Sequence, residues 1–108
     1  MYMTANEFRK MALAFAGAQE SSHMNHPDFR VGGKIFATLG YPQDDVGMVK
    51  LKPEQQKSLI QAEPEAFFPA KGAWGLRGAT HVRLAHARKR TLRKALATAW
   101  ANVKAKSG

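Results

Sequence analysis

Phe29-Arg30-Val31-Gly32-Gly33-Lys34-Ile35-Phe36-Ala37-Thr38-Leu39 decides how this chain folds. Two apolar-rich runs flank a Gly-Gly pair. A two-residue hairpin turn needs positive φ at its central positions, which glycine adopts without strain. Phe29–Val31 and Lys34–Leu39 are therefore expected to be two antiparallel strands. Downstream, Gly40 to Asp45 with Pro42 forms a second turn, and Val46–Leu51 a third strand. Lys52-Pro53-Glu54 opens a helix with proline in its first turn. Leu59 and Ile60 supply its apolar face and Pro64 ends it. Phe67-Phe68-Pro69 is expected to start a short strand, and Thr80–Ala85 alternates as a half-buried strand does.

Upstream, Thr4-Ala5-Asn6-Glu7 has the form of a capping box. Phe8, Met11, Ala12 and Phe15 follow at helical spacing, so the first helix should cover roughly 5–16. The polar run from Glu20 to Asp28 is expected to be a loop. The last helix should run from about His86 to Lys104, with Leu92, Leu96, Ala99, Trp100 and Val103 on one stripe. Arg90, Arg93, Lys94 and Lys104 fall on its other side.

The predicted order is α-β3-α-β2-α. Consecutive strands with short connections give an antiparallel sheet of about five strands. Helices not interleaved as βαβ units give an α+β two-layer sandwich with the helices on one face. At 108 residues the chain is expected to be a single domain over 1–108. Leu, Ile, Val and Phe together number only 21, so the core must be small.

Charge is distributed unevenly. The chain has 17 Lys+Arg against 8 Asp+Glu, a formal net charge of +9. Residues 1–70 hold 7 basic and 8 acidic side chains, whereas residues 71–108 hold 10 basic and none acidic. A block this one-sided suits a polyanion, because Lys and Arg at phosphates release condensed counterions. The alternative is a surface kept soluble by charge. No cysteine is present, which excludes disulfides, thiol chemistry and cysteine-based zinc sites. No apolar run approaches the ~18 residues of a membrane span. The N-terminus opens directly into an amphipathic pattern, so a cytoplasmic protein is expected, with no membrane partner.

Strand parity points to a binding face. With Ile35, Ala37, Leu39, Val49, Leu51, Val82 and Leu84 inward, the outward set is Lys34, Phe36, Met48, Lys50, His81 and Arg83. Such a face can hold phosphates with Lys34, Lys50 and Arg83 while a base stacks on Phe36. The glycine-rich segment Lys71–Gly78 is a second candidate, with Lys71 and Arg77 near its ends and Trp74 as a stacking ring. The alternative for Trp74 is a plug in the core. The cations of the last helix, Arg88, Arg90, Arg93 and Lys94, with Lys89 beside them, form a third. Those would position a strand without reading its sequence. The turn with Asp44 and Asp45 would repel phosphates.

Two other classes of function fit parts of the sequence. A protein-interaction module, or a homodimer, would use the open sheet face through Phe36 and Met48. An enzyme or metal site would draw on Glu20, Ser21, Ser22, His23, His26 and Asp28. Pro27 and the polar context argue for a loop there, and nothing signals a nucleophile with an oxyanion hole. Neither a phosphate-binding GxxxxGK[ST] loop nor a dinucleotide fingerprint is present. The expected set therefore has no catalytic residue, no metal and no cofactor.

Pro27-Asp28-Phe29-Arg30-Val31-Gly32-Gly33-Lys34-Ile35-Phe36-Ala37 resembles the signature of the MmcQ/YjbR-like family. Lys50-Leu51-Lys52, Pro64 with Phe67-Phe68-Pro69, Lys71-Gly72-Ala73-Trp74-Gly75 and Ala99-Trp100 are further matches, spanning about 4 to 104. The chain departs from the pattern at Ala79, a position that is often aromatic. The resemblance implies an α+β sandwich of the type III secretion chaperone-like sort. It also implies the family's double-wing, DNA-binding label, which is a structural analogy rather than a derivation from a site. The expectation is a non-enzymatic DNA-binding protein of low sequence specificity. The alternatives are the interaction module and a domain with no nucleic-acid ligand.

Overall fold

A computed structural model describes residues 3–107. The helix α1 (Ala5–Leu13) leads into four consecutive strands: β1 (Gln19–His23), β2 (His26–Val31), β3 (Lys34–Leu39) and β4 (Val46–Lys50). Then come α2 (Pro53–Ala62), β5 (Phe67–Pro69), α3 (Gly72–Leu76), β6 (Ala79–Arg83) and α4 (Lys89–Ser107), with a 3-10 turn at Leu84–His86. The sheet has six strands in the order β1-β2-β3-β4-β6-β5, and every neighbouring pair is antiparallel. The class is the expected α+β, with one more strand than predicted.

Local chemistry explains most of these elements. Thr4 Oγ1 accepts from the Glu7 amide at 3.1 Å, and Glu7 Oε1 accepts from the Thr4 amide at 3.0 Å, closing the capping box. Gly32 and Gly33 take φ of +60° and +78°, the values a tight turn between twisted strands requires. The extra strand is β1, in the run expected to be a loop. Its five side chains are all exposed, so it shows no apolar alternation. Backbone pairing with β2, from Gln19↔Arg30 to His23↔His26, builds it instead. Met24 and Asn25 turn the chain with positive φ.

One core fills the space between the helices and one face of the sheet. Phe8 and Ala12 of α1, and Leu92, Leu96, Ala99 and Val103 of α4, pack on Phe29, Ala37, Val49 and Val82. Phe15, just past α1, stacks on Trp100 at 5.8 Å between ring centroids, and Trp100 Nε1 donates to the Ala16 carbonyl. Leu59 and Ile60 of α2 also pack against this core. Helices α1 and α4 pack against β3, α4 also against β2 and β4, and α2 and α3 pack at the β5–β6 side of the sheet. Among the described residues, no helix is long and apolar enough to cross a membrane.

A bulge in β3 changes which side chains face the core. Phe29 pairs with Ala37, but Arg30 pairs with Ile35, so Phe36 is an extra residue. It joins Ala37 on the covered side, where it is 0% exposed and meets Phe15 edge-on at 6.5 Å. Phe36 therefore faces the core and not, as unbroken strand parity predicts, the opposite side. Strict alternation holds only where pairing is unbroken, and one inserted residue reverses it.

Candidate functional site

At one end of the sheet β3 begins, β4 ends and β6 begins. The first turn of α2, the single-turn α3 and the C-terminal end of α4 converge there and enclose a cleft of ≈ 470 Å³. Five cationic side chains line it: Lys34, Lys50, Lys52, Arg77 and Lys106. All five are exposed. Its apolar floor includes Ile35, Leu51, Ala79 and Val103. No Asp or Glu lines it, and among the described residues none of the five cations is ion-paired to a carboxylate.

Side-chain amides fix these walls. Asn102 Nδ2 donates to Gln55 Oε1 at 2.8 Å and to the Lys50 carbonyl at 3.3 Å. The same Gln55 oxygen accepts from the Lys52 amide at 2.8 Å. One amide side chain thus joins α4, the end of β4 and the start of α2, and holds Lys50, Lys52 and Lys106 around one space.

Trp74 stands at the edge of this cleft, 57% exposed. Its position follows from two glycines. A Cβ at Gly75 would collide with the Ala70 carbonyl, and a Cβ at Gly78 with the Leu51 carbonyl. Gly78 also holds φ at +112°. The glycines let the chain approach its own backbone, and α3 lies against the sheet with Gly75 buried. Lys71–Gly78 is therefore a helical turn flanked by bends, not the protruding hairpin that a wing would need. Trp74 points away from the core, so it is not a plug.

The remaining expected residues are divided. Of the predicted set, Lys34, Lys50, Arg77 and Trp74 meet in the cleft. Lys71 is exposed at the start of α3, outside the cleft lining. Arg83 is exposed on the face opposite the core but lies at the far end of the β4–β6 pair, opposite Val46, while Lys50 lies opposite Ala79. Four residues separate these pairs, about 13 Å along the strands. Arg83 donates to the Glu65 carbonyl at 3.1 Å and its guanidinium covers the Phe68 ring at 4.2 Å. Arg88, Arg90, Arg93 and Lys94 are exposed around the N-terminal half of α4. Lys89 there pairs with Glu7 at 3.0 Å. Arg90 and Lys106 are about 24 Å apart at 1.5 Å of rise per residue. The basic third is thus divided rather than one patch: Arg77 and Lys106 line the cleft, the cations at the start of α4 lie apart from it, and Lys71 and Arg83 join neither group.

The sheet face opposite the core differs from the expected open aromatic platform, because its central side chains are buried. Phe36 is in the core, and Met48 is only 3% exposed. The apolar contact surface that a partner or second copy would need from these two residues is not there. His81, also on this face, is buried against Phe68 at 5.2 Å, and burial holds its imidazole below the usual histidine range.

The candidate catalytic or metal-binding segment, Glu20 to Asp28, makes a structural cluster with Arg30. Asp28 is fully buried. Arg30 donates to both its oxygens, at 2.8 and 3.1 Å, and His23 Nδ1 lies 2.8 Å from Oδ2. The Arg30 guanidinium, and then His23, hold the carboxyl below its ordinary value against the opposing effect of burial. This ties edge strand β1 to β2. Among the described residues no group of three or more His, Cys, Asp or Glu is placed to hold a metal ion.

Sequence reasoning missed Lys52 and Lys106. A signal existed for each: Lys52 directly precedes the helix-opening Pro53, and Lys106 follows Asn102 by four residues on one face of α4.

Comparison with known proteins places the chain as a whole. A YjbR family model matches residues 13–102. The crystal structure of a Deinococcus radiodurans protein, described as a DUF419 domain, superimposes with a TM-score of 0.83 at 20% identity, covering 99% of this chain and 83% of that one. At this identity the likeness concerns the fold alone. No curated protein matches the chain.

Proposed function

The chain belongs to the YjbR family, and from that premise we propose that it binds nucleic acid with little sequence preference through the cationic cleft. The observation that carries this is the cleft lining: five cations, an exposed indole and no carboxylate around one concave space. Lys34, Lys50, Lys52, Arg77 and Lys106 hold phosphate oxygens as charged donors on flexible stems, which position a strand and do not read it. Trp74 offers a ring on which any base can stack.

We read the protein as a binding protein rather than an enzyme. Neither imidazole nor carboxylate lines the cleft, and these are the groups that most often move protons near neutral pH. The cations at the start of α4 form an auxiliary strip that adds attraction for longer polyanions. DNA is the natural probe.

The test is a titration of labelled DNA across 50–300 mM salt. Five neutralised phosphates give a slope of log K against log salt of about −4.5 on duplex and about −3.5 on a single strand. A binding constant indifferent to salt, or no binding at 50 mM, overturns the proposal.

A further inference from the structure

Resting on that function, we propose that the cleft takes an unpaired nucleotide, so that the protein prefers single strands to duplex.

Three features of the site carry this. The first is shape. A duplex presents phosphates along a convex rail, and a binding surface for it is extended. Here the cations come from β3, β4, the start of α2, the end of α3 and the end of α4, and they surround a cavity. At ≈ 470 Å³ it falls within the roughly 300–1,000 Å³ range typical of sites for small molecules. Such a space suits one nucleotide unit and excludes a base pair in its stack.

The second is the floor. Ile35, Leu51, Ala79 and Val103 give the cleft an apolar lining beneath its charged rim. Phosphate alone needs no such surface. A base has an apolar face to bury and polar edges to leave at the rim.

The third is Trp74. Its ring is 57% exposed at the cleft edge, on a helical turn locked by the close approach of Gly75 to the Ala70 carbonyl. Bases inside a duplex are stacked on both faces and cannot meet it. An unpaired base can, and stacking of this kind is tolerant of base identity. A single site thus combines charge for the backbone, a ring for the base and an apolar floor.

The experiment compares one 16-nucleotide sequence without self-complementarity, labelled at its 5′ end, as a single strand and as a blunt duplex. Binding is read by fluorescence anisotropy at 100 mM salt with the full chain. The single strand is expected to bind at least about ten-fold tighter. Trp74→Ala should weaken single-strand binding by about ten-fold or more. It should leave the weaker duplex binding within two-fold, while Trp74→Phe retains most of the single-strand affinity. Trp74 is exposed, so neither variant disturbs the core, and circular dichroism verifies this. Equal affinity for the two forms, or an equal loss on both in Trp74→Ala, overturns this inference and leaves the nucleic-acid function standing. Absence of binding to either form overturns both.

Discussion

Removing three cleft cations at once distinguishes the cleft from the cations at the start of α4. In Lys50→Ala/Lys52→Ala/Arg77→Ala, three of the five charges around the cleft are lost. All three side chains are exposed, and the Asn102 latch uses the Lys50 carbonyl rather than its side chain, so the fold should persist. Each phosphate contact on a single strand contributes about 0.7 to the slope of log K against log salt. The slope should therefore fall from about −3.5 to about −1.4. At 0.15 M salt each lost contact costs about 0.6 in log K, so the triple variant should bind roughly 50-fold more weakly. Arg88→Ala/Arg90→Ala/Arg93→Ala removes an equal charge from the other end of α4. That end is about three Debye lengths from the cleft at physiological salt. A six-nucleotide strand covers only about 20 Å when stacked, so it should bind this second variant almost normally. Anisotropy of a labelled six-nucleotide oligothymidylate between 50 and 300 mM salt measures all three proteins. Equal losses in the two variants, or an unchanged slope in the cleft variant, would refute the assignment of binding to the cleft.

Three further outcomes concern the fold that builds the site. Phe36→Ala should cost about 3–5 kcal/mol in urea unfolding, because the ring is in the core. A loss below about 0.5 kcal/mol, the surface value, would contradict the bulge. Gly78→Ala should destabilise by about 1–3 kcal/mol, since a Cβ meets the Leu51 carbonyl at a φ that side chains rarely adopt. A melting temperature equal to the parent's would count against this. Asp28 titrates below its ordinary 3.8 when folded, first because of the Arg30 hydrogen bond. Its stabilisation is therefore complete above the unfolded value and is lost as pH falls through the lower, folded one. Asp28→Asn should be less stable at pH 7 and should flatten the decline of melting temperature below pH 4, and an unaltered acid profile would argue against it.

Much of this protein was legible in its sequence because the relevant physics is local. The Gly32-Gly33 turn, the Thr4–Glu7 capping box, Pro53 at the head of α2 and the apolar stripe of α4 each depend on neighbouring residues, and each formed as expected. The concentration of charge after residue 70 is likewise a property of the chain. Edge strand β1 was hidden because it buries no side chain and exists through pairing to β2. Phe36 was misplaced because a bulge is a mismatch between two strands, and neither strand alone encodes it. The cleft depended most on the tertiary structure. Lys34, Lys50, Lys52, Arg77 and Lys106 are up to 72 positions apart, and only the meeting of three strand ends with α2, α3 and α4 brings them together. Sequence supplied the charges, and packing decided which of them share a space, because helix α4 is long enough to carry its two ends to different sites.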